Sequence, residues 1–459
     1  MTAIERLKVR RAAGERSLKV LSASGQLGYG IPAESLRHGL DWAPDFIGCD
    51  MGSVDPGPAY LGAGQMATSP ELTRRDLRLV LLGARQLDVP LLLGSAGTAG
   101  ARPHLDQTLE MIREIAAEEG LSFRLASISS DVSAEAVIAA KRAGHLHPLG
   151  EGLAATEEEI AASSHIVGQM GTEAFIRALD AGADVVIAGR ACDTAIFTAI
   201  PQMLNYDTGL AMQMAKIIEC TSICCVPGGR DPMMAVLGEH DFELESTHSE
   251  RRATPISVAA HALYEQSDPD IVYEPEGALL LDQAMYEPID DRRLRVSGGV
   301  WRPAERLSVK IEGARRAGER MVLLAATADP GFITQLDMIV PAVEATVRSM
   351  VEGDFELNMR PYGVGALVAP TPAAAPPREA FLLVEVIAER QETAKAALSV
   401  FKQYLLHHGF PGRLCTGGNL AFPFTPPELD GGTAWQFSLY HRMTVETLEP
   451  YFPVEVQDL

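Results

Sequence analysis

The feature that most restricts this chain is the alternation of short apolar runs with longer amphipathic stretches before Pro227. SLKVLSAS, DFIGCD, VPLLLGS, FRLASIS and DVVIAGR read as strands. Between them, Ser69-Pro70 opens a long helix running to about Asp88, and LDQTLEMIREIAAEEG forms another that stops at Gly120. A helix at SAEAVIAAKRAG and two more between Glu157 and Gly182 continue the rhythm. Apolar strands separated by helices are joined by crossovers rather than hairpins. The expectation is an α/β fold: a mainly parallel sheet with helices on both faces in the first half.

Beyond Pro227 the rhythm is lost. FELES, ALLLDQAMYEPID, RRLRVSGGV and RLSVKIEGA read as antiparallel strands. The organisation expected is an α/β ligand-binding domain over 1–235 and a β-rich segment over 236–366 that completes or caps it. A proline- and alanine-rich linker at 367–378 precedes a small α+β C-terminal module over 379–459.

Charge narrows the partners. Lysine and arginine number 39 against 61 acidic residues, a net charge of −22. Such an excess repels phosphate backbones and anionic lipid, so neither nucleic acid nor a membrane surface is expected as partner. A small anionic substrate stays compatible with it. No apolar run approaches the ~20 residues of a spanning helix. MTAIERLKVRRAAGERSLKV lacks the apolar core of a signal peptide. Six cysteines, two of them adjacent at Cys224 and Cys225, make no disulfide framework. A cytoplasmic homo-oligomer is expected.

In parallel sheets, ligands bind outside the carboxyl ends of the strands. Four loops fall there. The first holds Ser24, Gly25, Gly28, Tyr29 and Gly30, and the second holds Asp50, Ser53 and Asp55. The third is Gly94-Ser95-Ala96-Gly97-Thr98-Ala99-Gly100, followed by Arg102 and His104; the fourth is Gly189-Arg190-Ala191-Cys192-Asp193. Glycine-rich turns before helices suit an anion, through free N–H groups and the helix dipole, or simply make tight turns. G-Q-L-G-Y-G is not G-x-G-x-x-G, so NAD and FAD are not expected although Asp50 stands 20 residues after Gly30. Cys220, Cys224 and Cys225 match no iron–sulfur spacing. Arg190, closing an apolar strand, offers a planar fork for a substrate carboxylate or pairs internally with Asp50 or Asp193. Asp193 acts as acid/base or caps the next helix. Glu219 ends an apolar helix against its dipole.

The block DVVIAGRACDTAIFTAIP…GLAMQMAKIIEC resembles the acyclic terpene utilisation (AtuA) family. Arg190, Asp193, Glu219 and Cys220 match the family pattern in order, over about residues 18–235 and less distinctly to about 365. TGGNLAFPFTP resembles a shorter branch. The family's Asn-Ala-Gly-Gly loop is replaced by Gly94-Ser95-Ala96-Gly97, and its Glu-Cys-Gly by Glu219-Cys220-Thr221. The resemblance implies a place in the breakdown of branched acids through acyl-CoA intermediates, and a small ferredoxin-like subunit as partner.

The function expected is a catabolic enzyme acting on a small carboxylic acid or its CoA thioester. Its chemistry would be of the lyase type (a hydratase or dehydratase) or isomerisation, without a cofactor. Asp50, Asp55, Asp193, Glu219 and His104 are the acid/base candidates. Ser24, Gly25, Gly28, Tyr29, Gly94, Ser95, Gly97, Thr98, Arg190 and Cys220 are the substrate-binding ones. One rival is a divalent-metal hydrolase or lyase with Asp50, Asp55, His104 and Glu219 as ligands. The other is a non-catalytic subunit completed by the small partner.

Overall fold

The computed structural model describes residues 1–150, 155–264, 266–369, 377–413 and 418–459. Most of the 367–378 stretch and the start of TGGNLAFPFTP lie outside the described residues. The chain forms two compact units, 1–315 with 437–459, and 316–436.

The first unit is built on a ten-stranded mixed sheet. Its middle consists of Leu18–Ser24, Phe46–Asp50, Leu91–Gly94, Val185–Ala188 and Arg124–Ile128, in that spatial order and all parallel. Parallel strands are covered on both faces, hence the unbroken apolar runs. Successive residues feed opposite cores. Val20, Phe46 and Val186 pack with the helices Thr172–Asp180, Asp193–Met203 and Thr208–Ile218. Leu21, Ile47 and Ile187 pack with Ala33–Asp41, Pro70–Leu87 and Arg102–Glu119. The helix Pro70–Leu87 starts where its sequence says: Ser69 caps it, accepting from the Leu72 N–H, and Pro70 fills the first turn.

The expected mainly parallel sheet is corrected at both edges. Met233–Leu237, Phe242–Ser246, Leu294–Ser297 and Met285–Pro288 add antiparallel strands beside Leu18–Ser24. The strand Val454–Asp458 closes the other edge against Arg124–Ile128. A further strand, His165–Gln169, lies between the two helices expected after Glu157, paired with residues 310–314. Its partner is about 145 residues away, beyond the reach of local periodicity.

In the second unit, residues 319–327 of the strand Ser308–Thr327 pair with Ala380–Ala388, which pairs in turn with Phe355–Tyr362. The helices Leu336–Met350 and Gln391–His407 supply the rest of that core. Residues before and after the proline-rich stretch therefore share one sheet. The observed cuts at 315 and 436 follow this long-range pairing, not the composition shifts at 235 and 366. No helix among the described residues is long and apolar enough to cross a membrane.

Candidate functional site

All five parallel strands end at one edge of the first unit, and a pocket of about 260 Å³ opens there. Its wall includes Ser24, Gly25, Asp50, Asp55, Asp193 and Cys220, gathered from loops spread over nearly 200 residues. Two glycines bring the helix Asp193–Met203 onto the sheet. A Cβ on Gly48 would stand 2.3 Å from the Phe197 ring, and one on Gly94 would stand 2.4 Å from Ile196. That contact sets Asp193 over the strand ends, so Gly94 serves packing and does not line the pocket. Asp193 begins this helix but does not cap it; the N-cap position is Cys192. Gly25 is placed by a similar closeness: a Cβ there would lie 2.6 Å from the Glu219 carbonyl oxygen.

Asp50 is the most exceptional wall residue. Only 4% exposed, it accepts at Oδ2 from the Gly52 N–H at 2.9 Å, while its Oδ1 has no partner among the described residues. Burial pushes its carboxyl well above the usual range, and Asp193 and Glu219 push the same way against the pull of Arg190. Glu219 lies just behind the wall, its Oε1 2.6 Å from the Lys216 ammonium. Burial raises Glu219 to about 8 despite Lys216, with Asp193 adding to the rise. Cys220 remains a thiol, since burial and the neighbouring Glu219 push it up. Asp55 is exposed on the rim and accepts from the Ser53 hydroxyl at 2.6 Å.

Several expectations are corrected. The first glycine loop does hold an anion, but the anion belongs to the protein. The N–H groups of Gly28, Gly30 and Ile31 donate to the buried Asp76 carboxylate at 3.1, 2.9 and 3.0 Å. The third loop spends donors on backbone: the Ser95 and Ala96 N–H groups donate to the Gly189 and Ala188 carbonyls. Ser95, Gly97 and Thr98 lie beneath the pocket rather than on its wall.

Arg190 is 3% exposed and also absent from the wall. Of the two carboxylates expected as internal partners, Asp193 does pair with it, but the closer partner is one the sequence did not mark. Nε donates to the fully buried Glu312 at 2.8 Å, with Asp193 farther off at 3.8 Å. Nη1 donates to the Ala191 carbonyl and the Ser95 hydroxyl. Lys310 completes the network at 2.8 Å from Glu312. His104 is fully buried, with Nε2 3.1 Å from the carbonyls of Tyr60 and Gln65, and burial lowers its pKa. The set Asp50, Asp55, His104 and Glu219 is therefore not a ligand sphere. Among the described residues no group of three or more His, Cys, Asp or Glu is placed to hold a metal ion.

Three residues escaped the sequence reading. Arg230 lines the pocket from an exposed position, with its guanidinium over the Tyr29 ring at 5.3 Å. The Gly228-Gly229 pair before it was the available signal. Glu274 accepts from the Cys192 thiol at 2.7 Å and the Thr194 hydroxyl at 2.9 Å, adding a carboxylate behind Asp193. Nothing local marks it. Thr221 follows Cys220 on the wall at φ +56°, a region that β-branched residues avoid.

A pocket at the carboxyl edge of a parallel sheet, walled by carboxylates and by Arg230, defines the class as an α/β protein with a polar pocket at its strand ends. The particular family follows from comparison. The family model described as acyclic terpene utilisation family protein AtuA matches residues 97–229 and 245–424, and the chain belongs to that family. The matched span runs beyond the limit of about 365 set by the motifs, into the second unit. No curated protein and no solved structure matches the chain.

Proposed function

We propose that the pocket binds a small carboxylic acid, or the acyl end of its CoA thioester, and moves a proton beside the carbonyl group. The chemistry is addition or elimination of water, or an isomerisation. The observation that carries this reading is Asp50: a buried carboxyl in the pocket wall with one oxygen anchored and the other unspent. Such a group is held in place, with a buried oxygen that no described residue has claimed for a hydrogen bond. Arg230 supplies the cation for the substrate carboxylate, the role that Arg190 has given to Glu312. A volume of about 260 Å³ suits a small acid better than a whole nucleotide carrier.

The test is hydrogen exchange in D₂O, followed by NMR at the carbon next to the carbonyl. A panel of small straight and branched acids and their CoA thioesters serves as substrate. The wild-type protein exchanges at least one of them, and Asp50→Asn slows exchange by about 100-fold or more while staying folded. Burial, with Asp193 and Glu219 nearby, holds the Asp50 carboxyl well above the usual range. A base must lose its own proton first, so exchange by Asp50 rises with pH and does so well above the usual carboxylate range. Absence of exchange across the panel, or an Asp50→Asn protein with wild-type rates, rejects the reading.

A further inference from the structure

Thr221 is 2% exposed, lines the pocket beside Cys220 and Ile223, and holds φ +56°. Left-handed backbone crowds a branched Cβ, so the surroundings must impose it. They do. The next residue, Ser222, is tied down by its N–H to the Asp231 carbonyl, and by its hydroxyl to the Pro232 carbonyl and the Ser246 hydroxyl. On the other side, Gly25 packs directly against the Glu219–Cys220 backbone. The backbone turn itself has no need of threonine, because glycine reaches this conformation without strain.

What threonine adds is a hydroxyl. Ser24 Oγ accepts from the Gln26 N–H at 3.2 Å, and Ser53 Oγ donates to Asp55 at 2.6 Å. The Thr221 hydroxyl makes no hydrogen bond to another described residue; only its carbonyl does, accepting from the Cys224 thiol. It therefore stands on the same wall as the unspent oxygen of Asp50, with both donor and acceptor capacity to give.

We infer that Thr221 is a specificity-determining residue whose hydroxyl binds an oxygen substituent of the ligand, so that the pocket selects hydroxy or oxo acids over their unsubstituted analogues. This rests on the reading of the pocket as a carboxylic-acid site and narrows its substrate class. A polar group built to meet a ligand oxygen is left unpaired by an analogue lacking it, and that asymmetry gives selectivity.

Calorimetric binding to the full-length protein tests it with lactate against propionate and 3-hydroxybutyrate against butyrate. The wild-type protein prefers at least one oxygenated partner by about tenfold. Thr221→Val keeps the shape and loses the hydroxyl, and the preference falls to near unity; Thr221→Ser retains it. Thr221→Gly removes both hydroxyl and strain, so it raises the Tm and also abolishes the preference, and it answers the question if the valine variant fails to fold. Equal wild-type affinity within each pair, or a preference surviving in Thr221→Gly, overturns the inference while leaving the acid site intact. Absence of binding by all four acids also overturns the inference, while the acid site itself stands or falls with the exchange panel.

Discussion

Two sets of charges meet at the carboxyl edge of the central sheet and are treated oppositely. Behind the wall, Arg190, Lys310 and Glu312 close on one another, with Ser95 and the Ala191 carbonyl taking the remaining fork of the arginine. In front, one buried oxygen of Asp50 has no partner among the described residues, and Arg230 stands exposed over Tyr29. The N–H groups of Gly28, Gly30 and Ile31 belong with the closed set, since Asp76 occupies them, although Ser24 and Gly25 of the same loop line the pocket. The difference teaches how to tell scaffold from site. A residue type suited to binding an anion indicates a ligand only when no carboxylate of the chain has already taken it. Arg190 and Arg230 have the same chemistry; burial beside Glu312 closes one off, and exposure at the mouth of the pocket leaves the other for the proposed recognition role.

The comparison breaks most visibly at Glu312. Glu312→Ala leaves Arg190 and Lys310 facing a site without its carboxylate, and the expected loss is about 3–5 kcal/mol in urea unfolding. A variant as stable as wild type would show that this network is not closed. Next comes Asp76→Ala, which strands three loop N–H groups and should cost about 3 kcal/mol by the same measurement. Partial recovery in Asp76→Asn would sharpen the point, because the amide keeps one acceptor oxygen. The smallest effect on stability belongs to Arg230. Arg230→Ala should change it by no more than about 0.5 kcal/mol, yet lower affinity for small carboxylates by about tenfold in calorimetry. A large stability loss with unchanged affinity would move Arg230 to the closed set.

Much of the first unit was legible because its signals are local. Apolar strands, the Ser69-Pro70 start and the glycine stop at Gly120 all act within a few residues of themselves. The edge strands were harder. His165–Gln169 and Val454–Asp458 are short, and what makes them strands is a partner far along the chain. The same holds in the second unit, where Ala380–Ala388 joins strands from before the proline-rich stretch.

Local sequence pattern set the α/β rhythm and the carboxyl-edge loops, and the pocket that opens there is lined by Asp50 and Asp193 of those loops and by Cys220. The first two follow from periodicity and from where loops fall after strands. Tertiary structure alone decided the fate of each charge. Glu312 reaches Arg190 across 122 residues, Asp76 reaches Gly28 across 48, and the left-handed turn at Thr221 is imposed by Gly25 and Ser222 together. Whether a charged or hydroxyl group is spent or open depends on what lies within about 3 Å of it in space, and no local pattern of residues encodes that distance.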